Sequence, residues 1–581
     1  MPGFFVSNEK INIELKNKFQ DNCVFEDLCL GYEIGTVKRN TLEKFLDDKV
    51  CVETNHYILV QEGYLLNKQE LFIKYGRENI SSLMVTMYES AGETFFSEFR
   101  GCFSGALYDK KQKMWIVYTN QVGDNPVFFC NSGTWFAAGS QVNYILDFCA
   151  ENRMNLSFNA DAAYQMLTYG YILTGDTLAN EIHRLRGGDY IVIKEGVLTQ
   201  KTYHRFEYHP ERTKDMTEDE IVENIDQLFR KAVRLEWEKD NEYGYKHIAD
   251  LSGGLDSRMN LWVSHSMLNQ HASILTYSKA GYLDERIAKS IALYWGDEFC
   301  FKSLDDIEYL KDIDENTELL EGMSFYSGIT GGKRFLESLN LKNYGIEHTG
   351  MVGDSILGSF FHHKDDQLKM RIMGTESDKL VDRLPDSVKS LYKEFSTYEI
   401  YLMYSRGFCG ACNTHLLRKN FTEVGSPFLN VDFMQMCYDI PVEIRMNHNI
   451  YIKWIVKKYP EAGNFIWEKT GGKPGESKIR KAIRRAKTKG KRILLNKIGI
   501  KKYITENMNP LDFWLSNNDA VKKYLDEYEK KGYIYMPADV SQLLIQDMKR
   551  LYRCGNVTEK SLVLTVLAAA KYYFKGNGMK N

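Results

Sequence analysis

The stretch HIADLSGGLDSR, residues 247–258, decides the fold of this chain. His247–Leu251 has the apolar content of a buried strand, and helical periodicity runs from Arg258 to Leu268. Between them lies Ser252-Gly253-Gly254-Leu255-Asp256-Ser257. Two glycines let backbone amides come close to an anion, and the following helix start adds its partial positive charge. The hydroxyls of Ser252 and Ser257 can donate to phosphate oxygens. Asp256 would repel such a ligand unless it holds a divalent cation that bridges phosphate oxygens. An ordinary capped turn favours the same residue types, but not this six-residue string set between strand and helix.

Outward from the loop, strand and helix alternate. Ser273–Ser278 reads as a second strand, Asp284–Trp295 as a helix closed by Gly296, and Gly345–Thr349 as another strand. This spacing predicts a doubly wound parallel sheet. Upstream, helical periodicity covers Glu220 to Leu235, preceded by a polar linker at 205–218. The first 200 residues read as strands and hairpins, including His56–Val60, Trp115–Thr119, Val127–Cys130 and Thr134–Ala138. From about residue 380 the pattern is mostly helical.

The chain has 581 residues, which is too many for one ordinary core and predicts two or more domains. With 44% hydrophobic residues it is not disordered by composition. The first residues, MPGFFVSNEK, carry no signal-peptide pattern. The apolar run Leu562–Ala570 is about half of a membrane span. A cytoplasmic, reducing location is therefore expected. Cys409 and Cys412 form a lone CxxC, which is better read as free packed cysteines than as a zinc site.

The loop lacks the Gly-Lys-Ser/Thr ending of a Walker-type motif. It resembles the pyrophosphate loop of ATP pyrophosphatases and, within them, that of the asparagine synthetase family. TGMVGDSILGSFF, residues 349–361, resembles the second signature of that family through Gly350, Asp354 and Gly358. The resemblance implies an α/β chain of two domains. An N-terminal αββα, Ntn-hydrolase-like sandwich would span residues 1–205. A doubly wound parallel-sheet domain of the adenine-nucleotide alpha hydrolase type, with a helical C-terminal region, would span 206–581. It implies ATP bound at Leu251, Ser252, Gly253, Gly254, Asp256, Ser257, Ser278 and Gly350, with Mg²⁺ held by Asp256 and Asp354. Asp284-Glu285 matches an acidic pair of the family, or equally an acidic helix start. Ser426–Asn430, preceded by Glu423, resembles a Pro-Phe-Leu-Asp stretch expected to frame the substrate pocket. Trp467–Gly471 resembles the loop with a lysine near the acyl-phosphate chemistry, which makes Lys469 the catalytic candidate and Lys473 the second.

The first 200 residues resemble the glutaminase half of the same family. The carriers are Glu62–Asn67, Gly101–Asp109, Val122–Pro126, Phe136–Ala138 and Gly188-Asp189. That family uses an N-terminal cysteine as nucleophile. Here residue 2 is Pro2 and the first cysteine is Cys23. The family's oxyanion-stabilising asparagine is Glu62, whose carboxylate would oppose an oxyanion. Loss of glutamine hydrolysis is expected, with the domain kept as a folding partner.

Met351 stands where the family has an acidic residue or, in its β-lactam-forming branch, a tyrosine that helps deprotonate the amine. Methionine does neither. Three readings stay open: another base such as His348 substitutes, the nucleophile needs none, or ligation is lost. The expected activity is an AMP-forming amide ligase. It would adenylate a small-molecule or peptide carboxylate, and an amine or ammonia would then displace AMP. The alternatives are an impaired nucleotide-binding scaffold and an ammonia-dependent asparagine synthetase. Charge adds one clue. The net charge of −3 conceals a run at 477–502 with 12 Lys/Arg and no Asp/Glu, without which 63 basic residues face 78 acidic ones. That run is either a solvated helical face or a contact for an anionic partner.

Overall fold

The computed structural model describes residues 3–11, 25–32, 35–328, 332–361, 374–477 and 508–575, with isolated positions between 479 and 486. For 25–32 only the backbone is described. The basic run at 477–502 thus lies almost wholly outside the described residues, as do Pro2 and Cys23.

The N-terminal strands are β1 (Gly3–Ser7), β2 (Phe25–Tyr32), β3 (Gly35–Leu42), β4 (Val50–Glu53), β5 (Tyr57–Leu65) and β6 (Gly101–Asp109). Then come β7 (Met114–Thr119), β8 (Phe128–Asn131), β9 (Phe136–Gly139), β10 (His183–Arg184), β11 (Asp189–Lys194) and β12 (Val197–Thr202). They form two six-stranded sheets, ordered β10-β8-β9-β1-β3-β2 and β12-β11-β7-β6-β5-β4. Strand alternation sends Phe4, Val6, Ile58, Val60, Val117 and Ile191 into the layer between the sheets. The opposite faces are covered by helices. Leu59, Phe103 and Ile116 meet α1 (Lys68–Tyr75) and α2 (Ile80–Ala91). Phe5, Phe128 and Ala137 meet α3 (Val142–Glu151) and α4 (Ala160–Tyr169). This is the αββα sandwich.

The polar stretch read as a linker is instead docked. Phe206 is buried against Tyr404, Phe408 and Tyr438, and Thr213 donates to the Asp439 carbonyl at 2.5 Å. The scatter of charges hid one aromatic anchor. Helix α5 (Glu218–Glu242) then starts at a capping box between Thr217 and Glu220. It runs about two turns beyond its apolar periodicity because three of its four later buried positions, Glu236, Lys239 and Asp240, are charged.

The second sheet system is parallel: β13 (Lys246–Asp250), β14 (Ala272–Ser278), β15 (Glu298–Ser303), β16 (Tyr344–His348) and β17 (Glu423–Gly425), in the order β15-β14-β13-β16-β17. Helix α6 (Asp256–Leu268) follows β13, and α7 (Leu283–Trp295) follows β14. The α7 helix ends at Gly296 in the left-handed region, as a C-terminal glycine stop requires. The strand order reverses between β13 and β16, so a crevice opens beyond their carboxyl ends.

Helix α5 packs an apolar face on the second domain's core through Ile225, Phe229, Val233 and Trp237, and meets the central strands with charge at its C-terminal end. His348 on β16 is fully buried, with Nδ1 2.9 Å from Glu236 and Nε2 3.0 Å from Asp240. Its ring stacks on Trp237 with centroids 4.2 Å apart. Asp240 also meets His247 at 3.0 Å and accepts from the Ile346 amide at 2.8 Å. Gly345 is required beside it, because a β-carbon there would sit 2.0 Å from the Asp240 carboxylate. Helix Val557–Phe574 closes the C-terminal region. Leu562–Ala570 is its buried interior, in a core shared with α4 and Phe5 of the sandwich. Among the described residues no helix is long and apolar enough to cross a membrane.

Burial disfavours the His348 imidazolium, but Asp240 and Glu236 outweigh it and push the pKa up to about 9 from an ordinary 6.5. The folded value exceeds the unfolded one. The stabilisation, about 3 kcal/mol, is therefore complete below pH 6.5 and is lost as pH climbs through about 9. Thermal unfolding measured from pH 6 to 10 is expected to follow that decline, and His348→Gln to flatten it. An unchanged slope in the variant would refute the assignment.

Candidate active site

Of the residues singled out on the sequence, the Ser252–Ser257 loop and the loop that follows β16 meet at the switch point. Ser252 donates its amide to Ser257 Oγ at 3.1 Å, and the two hydroxyls lie 3.2 Å apart. The Gly254 amide reaches Ser252 Oγ at 3.1 Å. The Gly253 amide donates to Asp284 Oδ1 at 2.6 Å. The glycine amides expected to face a phosphate are therefore bonded within the protein. The two hydroxyls and the unpaired amides that begin α6 remain as the anion-facing donors. The sequence reading gave Asp284 no firm role; burial pushes its carboxyl up, and it lines the cavity.

The second loop packs directly on the first. A β-carbon on Gly350 would lie 2.2 Å from the Ser257 amide nitrogen, and one on Gly353 would lie 2.8 Å from the Asp256 carboxyl. That approach lets the Asp354 amide donate to Asp256 Oδ2 at 2.9 Å, while Tyr451 donates to Oδ1 at 2.8 Å. Burial and the neighbouring Asp354 carboxylate push Asp256 up to about 8, opposed in part by Lys469. The Asp256 and Asp354 carboxyls beside hydroxyl oxygens are an oxygen donor set that fits a hard divalent cation, whose charge would favour the ionised form of Asp256.

Beyond the loops lies a cavity of about 400 Å³. Leu251, Ser252, Gly254, Asp256, Ser257, Gly350 and Met351 line one end of it. Toward the other end Arg418 bridges Asp250 at 2.9 Å and Glu347, and donates to the Tyr277 hydroxyl at 2.6 Å. None of these four residues carried a motif in the sequence. Asp250, Tyr277 and Glu347 lie at or beside strand ends, whereas Arg418 ends the short helix Thr414–Arg418 and gave no signal.

Three expectations are corrected. His348 does not line the cavity. It lies buried behind the loop with both nitrogens facing carboxylates, and a protonated ring has no lone pair with which to act as a base. Ser278 is also absent from the cavity wall, since its hydroxyl turns to the Lys279 carbonyl at 3.0 Å. Gly425–Asn430 borders a small cavity between the two halves rather than the large one. Its link to the site is indirect, through Ser426 donating to the Met351 carbonyl at 3.2 Å. Lys469 lies close enough to act on Asp256 but is not part of the cavity wall, and Lys473 turns to Asn464 at 3.3 Å. Cys409 and Cys412 are both free thiols.

In the sandwich, Glu62 is buried, accepts from Thr41 Oγ1 at 2.7 Å and lies 3.6 Å from Arg39. Burial pushes it up to about 7 despite Lys49 and Arg39 nearby. Lys419 from the other half reaches across to Cys102 Sγ at 2.8 Å and to the Asp124 carbonyl.

The residue that ties the site together is Arg258, one position past the quoted loop's last serine. It is fully buried and donates to four carbonyls: Gly253, Ala462, Phe465 and Ile466, at 2.6–3.2 Å. The Glu468 amide adds a bond to the Gly253 carbonyl at 3.0 Å, so the segment carrying Lys469 is fixed against the loop. Arg258→Met removes the shared donor from all four carbonyls. It is expected to cost about 3 kcal/mol and to raise amide hydrogen exchange across 462–469. Exchange unchanged in that segment would show that the arginine does not hold it.

Comparison with known proteins agrees with this architecture. Residues 50–204 match the family described as a glutamine amidotransferase domain. A "Putative asparagine synthetase [glutamine-hydrolyzing] 2" of Methanocaldococcus jannaschii is 22% identical over 320 residues, which are 53% of this chain and 59% of that protein. The chain thus spans less than two thirds of that relative's length. Among solved structures, the glutamine phosphoribosylpyrophosphate amidotransferase of B. subtilis with ADP and GMP aligns at a TM-score of 0.20 and 9% identity, covering 43% of this chain and 53% of that one. A structure of the allosteric regulatory enzyme of purine biosynthesis gives 0.21 and 8%, covering 46% and 66%. Scores this low carry no argument. Residues 50–204 are thus similar to glutamine amidotransferase domains, and about half of the chain is similar to an asparagine synthetase.

Proposed function

We propose that the chain is an ATP-dependent, AMP-forming amide ligase. The observation that supports this most is the packing of Gly350 and Gly353 onto the first loop, which brings the Asp354 amide onto the Asp256 carboxyl at the wall of the 400 Å³ cavity; Asp354 itself does not line it. Ser252, Ser257 and the start of α6 would hold the phosphates of ATP. Asp256 and Asp354 would hold Mg²⁺, which when bound neutralises phosphate charge and polarises the P–O bonds. A substrate carboxylate oxygen attacks the α-phosphorus, and the α–β phosphoanhydride bond breaks to release pyrophosphate. An amine nitrogen then bonds to the acyl carbon as AMP departs with the electron pair of the C–O bond. Lys469, fixed through Arg258 and Glu468 close to Asp256, would offset charge developing on pyrophosphate.

Glutamine hydrolysis by the sandwich is not part of this function. This reading is supported by the resemblance that puts Glu62 in place of the family's oxyanion-stabilising asparagine, and by the Thr41 hydroxyl already donating to it. One observation favours a second reading, a nucleotide-binding scaffold: Met351 lies on the cavity wall where amine activation would be expected, and it has no proton to exchange.

ATP–pyrophosphate exchange over a panel of carboxylic acids separates the two. The ligase reading expects exchange with at least one acid, a fall of at least 100-fold in Asp256→Asn and a smaller fall of kcat in Lys469→Met. It also expects no glutaminase activity above background. Nucleotide binding without exchange on any acid would favour the scaffold.

A further inference from the structure

A second cavity of about 260 Å³ adjoins the first, and Gly328 and Thr414 line both. Its wall includes the rings of Tyr171 and Phe325 and two charged side chains of opposite sign, Glu376 and Arg406. Both charged residues are exposed, and among the described residues no carboxylate lies within ion-pairing distance of Arg406. Arg406 and Gly410 sit on a π-helical stretch, Met403–Gly410, a wide turn that is rare except where a site needs it. Space is kept by glycines. A β-carbon on Gly410 would lie 2.9 Å from the Tyr171 ring, and one on Gly374 would lie 3.2 Å from Arg406 Cδ.

The small cavity between the two halves shares no lining residue with the large one. It is only about 40 Å³, and Lys419 crosses beside it to Cys102 and Asp124. A molecule far larger than ammonia fits the 260 Å³ chamber, since a water occupies about 30 Å³ of liquid.

We propose that the chamber behind Thr414 seats the amine substrate of the ligation, and that this substrate also carries an anionic group. The proposal rests on the ligase reading above. The ammonium end faces Glu376 and the anion faces Arg406, whose planar donors suit either a carboxylate or a phosphate. Tyr171 and Phe325 cover the carbon chain between them.

The test uses the full chain and saturation-transfer NMR with four probes: β-alanine, phosphoethanolamine, propylamine and propionate. At least one of the two doubly charged probes is expected to bind more tightly than either singly charged one. Arg406→Met and Glu376→Gln are each expected to weaken that probe at least tenfold. Tighter β-alanine identifies a carboxylate, and tighter phosphoethanolamine a phosphate. No binding of either doubly charged probe, or equal binding in the two variants, overturns the proposal. Asp256→Asn separates this from the ligase reading. It is expected to leave probe binding intact; an unmutated chain that binds the probes yet fails every exchange assay would strike the ligase reading and the chamber's part in ligation, and leave only a site for a doubly charged molecule.

Discussion

Burying two carboxylates in the middle of a parallel sheet is the constraint on which the rest of this structure depends. Glu236 and Asp240 arrive on α5, and left alone they would cost far more than the packing of that helix returns. One imidazolium, His348, meets both, and Trp237 covers its ring. The strand that carries His348 is therefore fixed in register and height against α5. Thr349 and Gly350, the next two residues, inherit that position. The second loop meets the first only because its root is held this way.

The same arrangement explains which parts of the sequence were legible. The Ser252–Ser257 string predicted strand, turn and helix because glycine and capping chemistry act over a few residues. Asp354 was legible for the same reason. Arg258 was not, because three of its four partners lie more than 200 positions away and a lone arginine after a loop has no signature. Tyr451 lies 195 residues from Asp256 and was equally silent. His348 was misread because proximity in sequence to a functional loop says nothing of which face of a strand a side chain takes. The period of two along β16 sends it towards α5, away from the cavity.

The sandwich was legible in outline through its alternating strands, but its contact with the rest was not. Buried polar side chains make that contact in several places. Lys49 pairs with Glu423 at 2.9 Å, Tyr64 donates to the Val424 carbonyl at 3.0 Å, and Arg184 reaches Asn413 at 2.6 Å. Asp48 collects Lys68 and Lys239, each at 2.6 Å, from opposite sides of the boundary. Such bonds need one geometry, so they align the two halves rather than merely adhering them.

The core that helix Val557–Phe574 shares with α4 has a consequence for how this chain can change over generations. Nearly all of that helix is buried, and part of its cover comes from the amidotransferase-type half. Deleting that half would strip hydrocarbon from the other and expose it to water. Inheritance therefore has to carry both halves together, whatever chemistry the first still performs. Its packing residues answer to that shared core before they answer to any chemistry of their own.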